Sequence, residues 1–236
     1  MSVLSISKDE AEKWLANYPR LFDLYQRSKK DDLNNYFNFE ELIPWAAANF
    51  AEIEKILSKL DAKSWEKLRT KALSFVATDH PLRRYEQLFN HLNEARGYVF
   101  LTDQGYTQID FIEPKQNKKG APQSPDLFAI KAGSSVVLEV KTVNESDENL
   151  SPDASWRNEA VTVRRNLSSE FKDKIISTIG QALCQLNSYP SDRKIAFLII
   201  RFDHGQKTAW HLYAELKDFI ATQTKDGIEI YYESQF

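Results

Sequence analysis

The chain predicts an α/β fold, a mixed central sheet flanked by helices and preceded by an all-helical segment, on three observations. Apolar runs of strand length recur in its second half, at Leu127 to Ile130, Val136 to Leu138, Ile195 to Ile200 and Ile228 to Tyr232. Helix-period patterns stand among them: Leu82, Tyr85, Leu88, Phe89 and Leu92, and later Phe171, Ile175, Ile176, Ile179, Ala182, Leu183 and Leu186. Residues 1–78, by contrast, show helical periodicity alone.

The helical appendage opens on Ser7-Lys8-Asp9-Glu10, a capping-box pattern ahead of Ala11, Trp14, Leu15 and Tyr18, with Pro19 ending the helix early. A second helix starts at Asn38-Phe39-Glu40-Glu41 and packs through Leu42, Ala46, Phe50, Ile53, Ile56 and Leu57. Trp65, Leu68, Ala72 and Phe75 predict a third. Mixed charge and aromatics at packing intervals favour a support or dimerisation surface over a nucleic-acid reader. The remaining domain, 79–236, begins with a helix capped at Asp79 with Pro81 in its first turn. Two short strands around a tight turn at Gly133-Ser134 follow, then a polar insertion at about 144–169. A long helix ends at Tyr189-Pro190, and Lys194 to Arg201 reads as a buried strand. Ala209 to Leu216 fits strand or helix, Phe219-Ile220 is helical, and Ile228 to Tyr232 closes the sheet.

Composition narrows the chemistry. The 236 residues, 42% hydrophobic, can bury a substantial core. Lys and Arg total 31 against 34 Asp and Glu, a formal charge of -3, so there is no overall basic footprint and nucleic acid would need a locally positive groove. Cys184 stands alone, which excludes an intramolecular disulfide and a cysteine-rich zinc site. The N-terminus lacks a signal-peptide pattern and the apolar run at Ile195 to Ile200 is too short to span a bilayer, so a soluble, cytoplasmic protein without membrane association is expected. His80, His91, His204 and His211 lack metal-ligand spacing and read as surface or packing residues. With 7 glycines and neither a phosphate loop nor a dinucleotide fingerprint, an ATP-driven motor or a Rossmann enzyme has little support. A serine-hydrolase elbow is missing too.

Chemistry concentrates between Pro125 and Lys141. Strand alternation puts Glu139 and Lys141 on one face and Leu138 and Val140 on the other, so one face is expected to be buried and the other charged. The hairpin brings Asp126 near both. Two converging carboxylates offer hard oxygens to Mg2+, with Mn2+ as a substitute, and Lys141 can steady the attacking hydroxide or the pentacovalent phosphorus.

Pro125-Asp126 followed by Glu139-Val140-Lys141 resembles the signature of the PD-(D/E)XK nuclease superfamily, over roughly the last two-thirds of the chain. The resemblance implies a restriction-endonuclease-like αβββαβ core, a metal held by Asp126, Glu139 and the carbonyl of Val140, and hydrolysis of phosphodiesters. It also implies an acidic residue on the helix before the first strand. Glu86 borders that helix's apolar stripe and is the candidate, reading equally as an ordinary boundary carboxylate, while Glu94 falls on the far, solvated side. Gln185 and Tyr189 are similar to the Gln-x-x-x-Tyr element of the RecB-like branch, and Gln181 and Lys174 share their stripe; the same stripe is that of any solvated helix face. Arg157, Arg164, Arg165, Lys172 and Lys174, with Lys118 and Lys119 ahead of Pro125, are the cations that could meet a phosphate backbone, or simply keep their segments soluble.

The leading expectation is a Mg2+-dependent endonuclease on DNA, favoured over RNA, suited to restriction, recombination, repair or phage defence. Cutting both strands would call for two sites, hence a homodimer. The competing expectations are an inactive nuclease-fold module for nucleic-acid binding or protein assembly, and a turn plus cross-strand ion pair in another α/β protein.

Overall fold

The computed structural model describes residues 7–30, 49–75, 86–113, 124–144, 166–202, 210–223 and 227–235. The chain divides into two compact units, 1–100 and 101–236.

In the first unit, α1 (Lys8–Leu15) begins with the predicted capping box: Glu10 N–H donates to Ser7 Oγ and Ser7 N–H to Glu10 Oε2. Pro19 ends that helix but also opens another, α2 (Pro19–Lys30), which periodicity missed. Proline's fixed φ suits the first helical position, and its missing N–H would have gone unbonded there anyway. The next two N–H groups, of Arg20 and Leu21, donate to Glu54 at 2.9 and 3.0 Å, from a helical stretch at 49–57, here α3. The start expected for that helix, at Asn38, lies outside the described residues. The third expected helix is present as α4 (Ala62–Leu73), capped by Asp61. Leu15, Leu21, Leu24, Phe50, Leu57 and Leu68 of these helices are fully buried.

Two further helices, α5 (Glu86–Leu92) and α6 (Glu94–Asp103), precede the sheet. Glu94 is not on a solvated side. It is buried, with Lys71 Nζ at 2.7 Å and His91 Nδ1 at 2.6 Å from its Oε1, because a new helix starts there and turns it inward. Asn93, a residue type suited to a helix boundary, was the available signal.

The second unit is built on five strands in sequence order: β1 (Thr107–Phe111), β2 (Leu127–Lys131), β3 (Ser134–Asn144), β4 (Arg193–Arg201) and β5 (Glu229–Gln235). The first three form an antiparallel meander, and β4 and β5 continue parallel to β3, giving a mixed α/β sheet. The β2–β3 turn is one residue earlier than predicted: Ala132 and Gly133, at φ 50 and 83, are its central residues and Ser134 starts β3. A two-residue hairpin of type I′ requires positive φ at both, which Gly133 accepts and Ala132 resists.

Parallel β3 and β4 need a crossover, supplied by α7 (Ser169–Asn187). Ser168 caps it, accepting from Phe171 N–H, and Phe171, Ile175, Ile179, Ala182 and Leu186 are its buried stripe. The ambiguous segment after β4 is helical, α8 (Trp210–Ala221), with Leu212, Leu216 and Ile220 buried against Leu198 and Ile200. Lys172 of α7 pairs with Glu215 of α8 at 2.6 Å.

Candidate metal centre in the sheet unit

The site begins where β2 does. Pairing of Leu127 with Leu138 and of Phe128 with Val137 puts Asp126, one residue before β2, level with Glu139. Residues level across an antiparallel ladder project to the same face with Cβ atoms about 5 Å apart. Asp126 is also joined to the next strand, since its carbonyl accepts from Ile112 N–H at 2.9 Å.

Beyond Leu127 the hairpin ladder stops, and the Asp126 side chain replaces it. Val140 N–H donates to Asp126 Oδ2 at 3.0 Å, a buried bond that satisfies a backbone donor in mid-sheet. In an extended strand the N–H and C=O of one residue point to the same edge. Val140 C=O is thereby aimed at the same gap beyond β2 that holds the Asp126 carboxylate.

Glu139 and Lys141 share a face with Val137 and Val143. That face carries charge, as alternation predicts, and it is covered by α7. Val143 packs with Ile175 and Ile179, and Val137 with Ala182 and Leu186. The two carboxylate-site residues sit between these clusters, and both faces of β3 are buried there. Glu139 is 1% exposed, while the Lys141 side chain is 22% exposed. Lys141 Nζ lies 2.6 Å from Glu139 Oε1, so the charge of one is balanced by the other. Ala196 is level with Glu139 on β4, and Ala182 lies in the buried stripe of α7.

Lys172, on one flank of α7, reaches α8. Helical spacing puts Lys174, Gln181 and Gln185 on the opposite flank of α7. Gln181 is exposed and Lys174 and Gln185 half-buried. Tyr189 packs by its ring on the cluster of Val137, Ala182 and Leu186. Lys172 serves the α7–α8 contact, its ammonium also lying over the Phe219 ring. Lys118, Lys119, Arg157, Arg164 and Arg165 lie outside the described residues, and Glu86, described in its backbone alone, stands on α5 and not on the helix directly before β1, which is α6.

The donor set suits a hard divalent cation such as Mg2+ or Mn2+: two carboxylates level on adjacent strands and a backbone carbonyl aimed at the same gap, all oxygen ligands. No group of three or more His, Cys, Asp or Glu side chains of metal-binding form occurs among the described residues, so a metal here would use two side chains and the main chain. Among them, too, no helix is long and apolar enough to cross a membrane. No family model, no curated protein and no solved structure matches the chain.

Proposed function

We propose that this chain is a metal-dependent nuclease of the PD-(D/E)XK kind that hydrolyses phosphodiester bonds in DNA. The observation that carries the reading is the Asp126–Val140 bond, which holds one carboxylate level with Glu139 and aims the Val140 carbonyl at the same gap. The run α6-β1-β2-β3-α7-β4 also follows the αβββαβ order of that superfamily, which supports the finer fold assignment.

In this reading Asp126, Glu139 and the Val140 carbonyl hold Mg2+, which polarises the phosphate and lowers the pKa of a bound water. Asp126 is preorganised for the ligand role by a neutral backbone donor. Lys141 brings the ammonium that stabilises charge on the attacked phosphorus or its hydroxide. The flank of α7 bearing Lys174, Gln181 and Gln185 offers donors to the strand being cut, and Tyr189 fixes the end of that flank against the core. A homodimer would supply one site per strand of a duplex.

The test is cleavage of plasmid, linear duplex and single-stranded DNA with Mg2+ or Mn2+. Asp126→Asn retains an oxygen for Val140 N–H and removes the charge, so it should fold as wild type and lose at least 100-fold in rate. Asp126→Ala should lose the same activity and also about 1–3 kcal/mol of stability, from a buried N–H left unbonded. Metal-dependent cutting by wild type alone supports the enzyme. No cutting and no metal binding by wild type would move the reading to an inactive nuclease-fold module for binding or assembly.

A further inference from the structure

We propose that Lys141 is an internal cation which holds Glu139 until a divalent metal displaces it, so that metal loading and release of the ammonium toward substrate are one event. This rests on the nuclease reading of the same site and adds to it a coupling between its parts.

The two carboxylates are held by different means. Asp126 is fixed through Oδ2 by a backbone N–H, a neutral donor that a metal need not disturb. Glu139 is held by a charge: its Oε1 meets Lys141 Nζ at 2.6 Å. At 1% exposure an ionised carboxylate requires a cation close by, and Lys141 is placed to be that cation, two residues along the same face. A divalent ion taking the same oxygen would stand within a few ångströms of the ammonium, and their repulsion is strong away from bulk water. The two cations therefore compete for Glu139 Oε1.

Lys141 has somewhere to go. Its side chain is 22% exposed, against 1% for Glu139, so a rotation about its flexible stem can carry the ammonium outward without breaking the sheet. The free protein is thus spared the repulsion of two adjacent carboxylates, and the loaded protein has its lysine released for the phosphate. The same competition lowers metal affinity.

Binding of Mn2+ by calorimetry on the full chain tests this. Lys141→Met should bind on the order of tenfold more tightly than wild type, the range of ordinary coupling between two ligands. Lys141→Arg, which keeps an always-charged group on Glu139, should bind no more tightly than wild type. A second measurement needs only the wild-type fold. In metal-free protein labelled with 15N-lysine, the side-chain ammonium signal absent from Lys141→Arg should be protected from exchange, and it should shift or vanish at saturating Mg2+. Mn2+ bound by wild type and Lys141→Met with equal affinity, or less tightly by the variant, overturns the displacement while leaving the metal site. An ammonium signal unmoved by saturating Mg2+ does the same and decides the matter if Lys141→Met fails to fold. Absence of Mn2+ binding in every form overturns the displacement and the nuclease reading together.

Discussion

At the scale of the residue, Asp61, Asp126 and Glu94 each take their role from what they touch. Asp61 accepts from Ser64 N–H at 2.8 Å, Ser64 Oγ–H at 3.0 Å and Tyr98 O–H at 3.0 Å. The Ser64 backbone bond above all holds its pKa below the usual carboxylate range. A folded pKa lowered in this way stabilises above the unfolded value, about 4, and the contribution is lost as pH falls through the folded value. Asp61→Ala should therefore cost about 1 kcal/mol at pH 7 as a lost helix cap. Urea titrations should show the gap to wild type narrowing as pH drops below about 4. Asp126 shows how far such roles are legible. The pairing Pro125-Asp126 and Glu139-x-Lys141 marks both carboxylates in the sequence, but that Asp126 also closes the ladder at Val140 N–H depends on where β2 begins. Glu94 was misassigned for a related reason: a helical wheel continued from α5 is void once a second helix starts at that residue.

Among the elements, the hairpin and α7 do most to place the site. Ala132 holds φ 50, a left-handed conformation that a Cβ disfavours by about 1–2 kcal/mol. Asn is far better tolerated there and Asn-Gly is the preferred pair for such a turn, so Ala132→Asn should stabilise by on the order of 1 kcal/mol. Denaturant midpoints would register the gain. Cleavage should be unaltered, since β2 separates the turn from Asp126. The apolar spacing of α7 was legible, as was the burial of β4. The alternation of β3 was legible too, but not what covers its charged face: that depends on which side of the sheet the β3–β4 crossover takes.

For the whole molecule, the relevant fact is that each unit has its own core, one of helices within 1–100 and one of sheet and helices within 101–236. A ligand that binds only the folded sheet unit stabilises that unit by mass action, about 2.7 kcal/mol at 100 times its Kd. Saturating Mg2+ should therefore slow amide exchange across β2, β3 and α7 in wild type and leave α1, α2 and α4 unchanged. Asp126→Asn should show neither effect at the same concentration. The net charge of -3 adds a second expectation of this scale under the nuclease reading, that DNA binding without metal is weak, since no overall positive field draws the phosphates.

The amino-acid sequence by itself determined the α/β class, the helical first part, most strand and helix positions, and the alternation that puts Glu139 and Lys141 side by side. These follow from spacing between near neighbours, whose periods of two and 3.6 are set by the backbone alone. The tertiary structure decided the rest: α7 over Glu139, Asp126 bonded across strands to Val140, and Glu94 drawn in against Lys71. Such pairings join residues distant in the chain, and burial arises only once distant segments pack together.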